Sequence, residues 1–112
     1  MKKIEVKIRP EKLESVRCAL EKVGYSGLMI SEIEGHGRQK GIVQQWRGEK
    51  YKVEFLPKIK IEIIVKDNEV ERIIKTIVDS AKTGEIGDGK IFISPVENAV
   101  RIRTGEKGEQ AI

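Results

Sequence analysis

Two stretches of the chain alternate between apolar and charged residues with a period of two. The apolar positions are Ile4, Val6 and Ile8 in the first stretch, and Ile59, Ile61, Ile63 and Val65 in the second. Lysine, arginine and glutamate occupy most of the positions between them. This period is typical of a β-strand that has one buried face and one solvated face, so the pattern predicts two such strands.

Each alternating stretch is followed by apolar residues at helical spacing. These are Leu13, Val16, Leu20 and Val23 after the first stretch, and Val70, Ile73, Ile74, Ile77, Val78 and Ala81 after the second. Pro10 suits the opening of the first helix and Gly24 its end, and Asp67 or Asn68 is the predicted N-cap of the second helix. Cys18 falls opposite the apolar stripe, so we expect an exposed thiol.

Three further segments have the composition of strands. Leu28–Ile33 predicts a second strand, Lys90–Val96 a fourth, and Val100–Arg103 a short fifth. The order βαβ followed by βαβ predicts an α+β, ferredoxin-like fold, in which two helices cover one face of a four-stranded antiparallel sheet. Ile64 lies among charged residues on the uncovered face, and we therefore expect part of that face to contact another subunit.

The connection between Gly35 and Pro57 is about twice the length of an ordinary loop. It shows no convincing periodicity, and it contains three aromatic residues, Trp46, Tyr51 and Phe55. Within residues 36–56, five basic residues stand against two acidic ones, so this segment holds +3 of the net charge of +4. A long, basic and aromatic connection indicates an arm that contacts other molecules.

The composition bounds the class of protein. With 112 residues the chain is expected to form one domain, 1–112, and its 22 basic and 18 acidic residues suit a nucleotide ligand better than nucleic acid. The single cysteine excludes an internal disulfide and, together with a charged N-terminal segment unlike a signal peptide, predicts a cytoplasmic protein.

Residues 83–90 form the most informative motif, with three glycines and a lysine between a helix-like and a strand-like segment. Glycine allows backbone N–H groups to face an anion, and lysine adds a positive charge. Gly84–Lys90 fits the G-x-x-x-x-G-K core of a P-loop, but Ile91 replaces the Ser or Thr that holds Mg²⁺ there. The order of elements is also reversed, so the motif predicts a phosphate-binding turn of another kind.

Several motifs together extend over the chain: Met1–Glu5, Gly35–Gly41, Arg47–Gly48 followed by Tyr51, Phe55–Ile63, Thr83–Phe92 and Val100–Glu106. In this order and at these spacings they resemble the PII nitrogen-regulatory signal-transduction protein family. The resemblance implies a homotrimer that binds ATP or ADP between neighbouring subunits and 2-oxoglutarate beside Mg²⁺-ATP. It also implies a long T-loop, at about residues 36–56, and a C-terminal segment, at 97–112.

The resemblance assigns individual residues. The nucleotide would contact Met29, Gly37, Arg38, Ile64, Gly87, Asp88, Gly89 and Lys90, with Arg101, Ile102 and Arg103 from the adjacent subunit. Gln39, Lys40, Gly41 and Lys58 would bind 2-oxoglutarate, and Gln39 would also bind Mg²⁺ together with the ATP phosphates. Met29 departs from the family, which commonly has a threonine near the adenine.

The resemblance further implies a regulator rather than an enzyme. Its partner would be an ammonium transporter, which could recruit it to the membrane, or glutamine synthetase or another nitrogen enzyme. Arg47 would contact the partner, and Tyr51 is a candidate for covalent modification, although Trp46, Glu49 and Lys50 depart from the usual flanks. The physiological target and the preference between ATP and ADP stay open.

Three alternatives compete with this interpretation. A small ATP-hydrolysing enzyme would use the 83–90 turn, with Asp88 as the one candidate base beside it, and an adenylate-only relative would lack the 2-oxoglutarate response. An RNA-binding module of the same topology needs aromatic residues on its central strands. Ile59–Val65 has none, and nucleic acid is therefore not expected as a partner.

Overall fold

The computed structural model describes residues 1–35, 42–46, 49–53 and 56–112. These residues form six strands and two α-helices: β1 (Lys2–Ile8), α1 (Leu13–Lys22), β2 (Met29–Gly35), β3 (Ile42–Trp46), β4 (Glu49–Val53), β5 (Leu56–Val65), α2 (Val70–Ala81) and β6 (Lys90–Pro95). Short 3₁₀ turns at Pro10–Lys12 and Asp67–Glu69 lead into the helices, and a third lies at Gly108–Ala111.

Strands β2, β5, β1 and β6 form one antiparallel sheet, in that order. The central pair, β1 and β5, is aligned from Lys2↔Val65 to Ile8↔Ile59. Each helix connects strands that are separated by one intervening strand, as the double βαβ arrangement requires. The predicted ferredoxin-like fold with a four-stranded antiparallel sheet is therefore confirmed.

The core lies between the sheet and the two helices. The alternating residues of β1 and β5 are buried against Val16 and Leu20 of α1 and Ile73 and Ile77 of α2. Because the apolar positions of each strand and helix lie on a single face, all of them meet in one layer. Gly24, with φ +98°, follows α1 as predicted, and Cys18 is exposed.

Two local predictions are wrong. The α2 N-terminus has no side-chain cap. Lys66 precedes the 3₁₀ turn and Glu69 precedes α2, and neither side chain accepts a capping hydrogen bond. The Asp67 carboxylate lies 2.9 Å from the Met1 ammonium group instead. Residues 100–103 form no strand, because the N–H of Gly105 bonds the carbonyl of Arg101 at 2.7 Å and closes a turn. Val100 retains a single bridge to Lys107.

Strands β3 and β4 form a separate antiparallel ribbon, with register from Ile42↔Val53 to Trp46↔Glu49. They lie inside the connection in which the sequence shows no convincing periodicity. The two strand sequences, IVQQW and EKYKV, show no sustained alternation of apolar and charged residues.

The sheet face opposite the helices carries charged and apolar residues together. This face carries Lys3, Glu5 and Lys7 from β1, and Lys58, Lys60, Glu62 and Ile64 from β5. Phe92 of β6 also lies on this face, 49% exposed, and its ring centre is 5.3 Å from the Lys7 ammonium. Within the described residues, no helix is long and apolar enough to cross a membrane.

Candidate functional site

Three strands bring the predicted site residues to one end of the sheet. β1 ends at Ile8, β6 begins at Lys90 opposite Lys7, and β5 begins at Leu56 opposite Gly35, the last residue of β2. The 83–90 turn therefore lies at the same end as the two anchor points of the 36–55 connection.

Two glycines give the turn its backbone path. Gly87 and Gly89 have φ of +103° and +105°, a region that residues with a Cβ rarely adopt. Gly89 also passes so close to β1 that a Cβ there would collide with the carbonyl oxygen of Lys7. The glycine-rich composition is thus required by both backbone conformation and close approach.

The Asp88 carboxylate faces into the turn. Its Oδ2 accepts the backbone N–H groups of Thr83 and Gly84, each at 2.9 Å. Its Oδ1 accepts the Thr83 hydroxyl and, at 3.3 Å, the Arg9 Nε–H. The Thr83 hydroxyl oxygen in turn accepts the Glu85 N–H at 3.1 Å. Both carboxylate oxygens are therefore occupied within the protein.

These bonds determine what Asp88 can do chemically. The hydrogen bond from the Thr83 hydroxyl, followed by the N–H bonds and Arg9, holds the pKa of Asp88 well below its usual range. A carboxylate that is this strongly stabilised as the anion is a poor proton acceptor. Asp88 was the one candidate base for an ATP-hydrolysing enzyme, so its environment disfavours that alternative.

Two cations bind the carbonyl groups of the turn. Arg9 donates from Nη2 to the Ile86 carbonyl at 2.8 Å, and Lys58 donates from Nζ to the Gly87 carbonyl at 2.7 Å. In the described part of the chain, the N–H groups of Gly87 and Gly89 donate to no protein acceptor. With its carbonyls bound by cations and these two N–H groups unpaired, the turn resembles an anion-binding nest.

Lys58 is half-buried on the helix-free face of β5. Burial, followed by the positive charge of Arg9, lowers its pKa below the usual value for lysine. Lys90 lies on the same face, opposite Lys7 in the pairing of β1 with β6. An anion at this end of the sheet would therefore meet several cations and relieve their mutual repulsion.

The predicted adenine contacts, Met29 and Ile64, also lie on the helix-free face. Met29 pairs with Glu62 and is 72% exposed, whereas Ile64 is half-buried. Glu62 is four residues from Lys58, which corresponds to about 13 Å along a strand. A separate cleft of about 390 Å³ lies beneath Gly89 on the helix side of β6, and neither Met29 nor Ile64 lines it.

The C-terminal arginines do not reach this turn within their own chain. Arg101 donates to Glu106 and to the Gln110 carbonyl, both at 3.0 Å. In the described part of the chain, no hydrogen bond or ion pair links Arg101 or Arg103 to residues 83–90. Ile102, between them, is 99% exposed.

Other predicted residues lie outside the described part of the chain. These are Gly37, Arg38, Gln39, Lys40, Gly41 and Arg47, and of Tyr51 only the backbone within β4 is described. Among the described residues, no group of three or more His, Cys, Asp or Glu side chains could hold a metal ion. The Mg²⁺ contact expected of Gln39 stays a prediction.

The sequence does not single out Arg9, and it places Thr83 in the phosphate-binding turn without a role for its hydroxyl. Both contact Asp88, and Arg9 does so across a separation of 79 residues. Thr83 carries a local signal, because Thr and Asp five residues apart around glycines are suited to side-chain-to-backbone bonds in a turn. Arg9 carries no such signal, since its contact exists only once β1 and β6 have paired.

The fold and this turn define the class: a ferredoxin-like domain with an anion-binding turn at the end of its sheet. Comparison with known proteins identifies the family. Residues 1–106 match the family model "Nitrogen regulatory protein P-II", and the chain belongs to this family. It is therefore a regulatory protein of nitrogen signalling.

Curated relatives support this assignment over full length. A nitrogen regulatory protein P-II from Microchaete diplosiphon is 56% identical over 112 residues, which is 100% of both chains. One from Azospirillum brasilense is also 56% identical over 100% of both chains. The P-II protein 2 of Methanothermobacter thermautotrophicus is 55% identical over 100% of this chain and 97% of its own. All three are named as regulatory proteins, which fits a non-enzyme.

Proposed function

We propose that the chain binds ATP or ADP, with the phosphates held at the 83–90 turn. The observation that carries this proposal is the pair of N–H groups at Gly87 and Gly89, which have no acceptor among the described residues and lie next to Lys90. A polyphosphate needs several N–H donors and cations together, and few other ligands would use all of them.

We also propose 2-oxoglutarate as the effector. Lys58 would bind one of its carboxylates, and Gln39, Lys40 and Gly41 would complete the site at the start of the 36–55 connection. This is supported by the register, since Gly35 pairs with Leu56, two residues from Lys58. Gln39 and the ATP phosphates would hold Mg²⁺, which would join the nucleotide to the effector.

The functional protein is proposed to be a homotrimer. Arg101 and Arg103 lie away from their own turn, so they could contact the nucleotide only from a neighbouring subunit. The exposed apolar side chains of Ile102 and Phe92 support the presence of a further interface. In such an assembly each nucleotide would be held by two chains.

The proposed output is the binding of a partner through residues 36–56. An ammonium transporter or a nitrogen-assimilation enzyme such as glutamine synthetase is the partner that the family suggests, with Arg47 in the contact. Working in the cytoplasm, the protein would reach the membrane through the transporter. Because the effector site adjoins both ends of this segment, effector and partner would alter each other's affinity reciprocally.

Lys90→Gln tests the nucleotide site. We expect ATP and ADP binding to weaken by about 10- to 100-fold, which is the loss typical of one charge-assisted hydrogen bond. Lys75→Gln is the matched control, since Lys75 pairs with Asp79 on the outer face of α2. Isothermal titration calorimetry would measure both variants. Equal affinities in wild type, Lys90→Gln and Lys75→Gln would contradict the proposed site.

A further inference from the structure

We infer that Thr83 and the carboxylate of Asp88 shape the phosphate-binding turn from within, as positioning groups, and that this carboxylate does not contact the nucleotide or its metal. This inference rests on the proposed nucleotide site and deepens it. It assigns the Asp88 side chain to the interior of the turn and gives the Thr83 hydroxyl a role there.

The Asp88 carboxylate is directed into the turn. Asp88 accepts hydrogen bonds from the N–H groups of Thr83 and Gly84, from the Thr83 hydroxyl and from Arg9. These donors occupy both oxygens, so a ligand could bind either oxygen only by displacing one of these hydrogen bonds. A carboxylate that faced the phosphates would also repel them.

The same bonds determine which N–H groups a ligand can use. The N–H groups of Thr83, Gly84 and Glu85 are bound by Asp88 and by the Thr83 hydroxyl oxygen. Those of Gly87 and Gly89 donate to no acceptor in the described ranges. The internal bonds therefore close the first half of the turn and leave the second half for the anion.

Arg9 links this closed half to the sheet. It donates to Asp88 and to the Ile86 carbonyl, and it directly follows β1 and Ile8. The turn is thus held against the strand that also carries the close approach at Gly89. The unpaired N–H groups keep a fixed position relative to Lys90, so little ordering remains to be done when an anion binds.

Thr83→Val tests the inference because it keeps the shape of the side chain and removes the hydroxyl. We expect ADP binding to weaken by about 10- to 100-fold, the effect of losing one hydrogen bond to a charged group. Thr83→Ser should restore affinity to within about threefold, because it keeps the hydroxyl. Thr76→Val is the control, since the Thr76 hydroxyl bonds only within α2, to the Arg72 carbonyl.

Asp88→Asn separates positioning from direct contact. The amide NH₂ group would face N–H groups that the carboxylate accepts in the wild type, so the turn would lose its shape. ADP binding should therefore weaken by the same factor with Mg²⁺ and with EDTA. Adding Thr83→Val to Asp88→Asn should cause little further loss, because both residues act through one set of bonds. A loss seen only with Mg²⁺ would mean metal ligation by Asp88. Unchanged affinity in both variants, or fully additive losses, would also overturn the inference.

Amide hydrogen exchange without nucleotide provides a readout that is independent of binding. In Thr83→Val, the Glu85 N–H should exchange faster than in wild type, whereas amides in β1 should be unchanged. Equal protection of Glu85 would overturn the inference. If the wild type binds neither ATP nor ADP while Glu85 loses protection as expected, the proposed nucleotide site fails and the internal role of Thr83 stands.

Discussion

Single atoms at the 83–90 turn decide whether it can form. Gly89 combines a positive φ with a backbone contact to Lys7, whereas Gly84 has a positive φ, +89°, but open space where a Cβ would lie. A substitution at Gly84 would therefore meet conformational strain alone, whereas one at Gly89 would meet strain and a collision together. Nothing in the spacing of the glycines distinguishes them, because the collision depends on the pairing of β1 with β6.

Gly89→Ala should cost more stability than Gly84→Ala. For Gly84→Ala we expect about 1–2 kcal/mol from the unfavourable backbone conformation. For Gly89→Ala we expect about 2–5 kcal/mol, since overpacking against β1 adds to the strain. Urea unfolding of both variants would measure the difference. Equal costs would contradict the close approach of the turn to β1.

Lys58 should take up a proton when an anionic effector binds. Its pKa is lowered by burial and by Arg9, and a carboxylate beside it would raise the pKa again. The uptake should therefore grow as the pH rises and the free lysine begins to lose its proton, and it should shrink as the pH falls. Calorimetry of 2-oxoglutarate binding in two buffers with different ionisation enthalpies would measure it.

Lys60 provides the control for this prediction. It lies on the same face of β5 and pairs with Glu62 at 3.1 Å. Lys60→Gln should keep the proton uptake at high pH, whereas Lys58→Gln should abolish it and weaken effector binding. Uptake that persists in Lys58→Gln would show that another group is responsible.

Helix α2 contributes a large part of the core, and its apolar residues differ in burial. Ile77 is buried against the sheet, whereas Val78, one residue later, is 41% exposed. Ile77→Ala should cost about 2–5 kcal/mol, as is usual for a fully buried aliphatic side chain. Val78→Ala should cost less than about 1 kcal/mol. Chemical denaturation would test both, and similar costs would contradict the placement of α2.

The strands of the main sheet and the two helices were predictable from the sequence, whereas the β3–β4 ribbon and the turn at residues 101–105 were not. Burial on one side imposes a period of two on β1 and β5 and a period near 3.6 on α2. The β3–β4 ribbon shows no such period in its sequence. Val100–Arg103 alternates apolar and basic residues as a strand does, but Gly105, with φ of +73°, lies at the end of a turn.

The residues of the site also divide into those that the sequence predicts and those that it does not. The glycines and Lys90 were predictable because a phosphate-binding turn needs those residue types locally. Arg9 was not predictable, since it reaches Asp88 only through the pairing of β1 with β6. The resemblance places Asp88 at the nucleotide, but the sequence does not indicate which way its carboxylate faces. That direction is decided by donors that become available only in the folded turn.

For the whole molecule, the account predicts a trimer in solution. Light scattering coupled to size-exclusion chromatography should give about 38 kDa, three times the chain mass of 12.7 kDa. A mass near that of one chain would contradict the assignment of Arg101 and Arg103 to a neighbouring site.

Mixed trimers test the shared site directly. Lys90→Gln and Arg103→Gln subunits each lack one side of the proposed nucleotide site. If the two residues come from different chains, unfolding and refolding the variants together in equal amounts should restore about a quarter of the sites. If both residues act within one chain, the mixture would restore none, because no chain is intact.

The central claim is that the 83–90 turn and Lys58 together make a nucleotide-dependent effector site. Calorimetric titration of 2-oxoglutarate, with and without Mg²⁺-ATP, tests it most directly. The account predicts 2-oxoglutarate binding only when Mg²⁺-ATP is present. Binding of ATP with no response to 2-oxoglutarate would leave an adenylate-only sensor, and no binding of either nucleotide would contradict the claim itself.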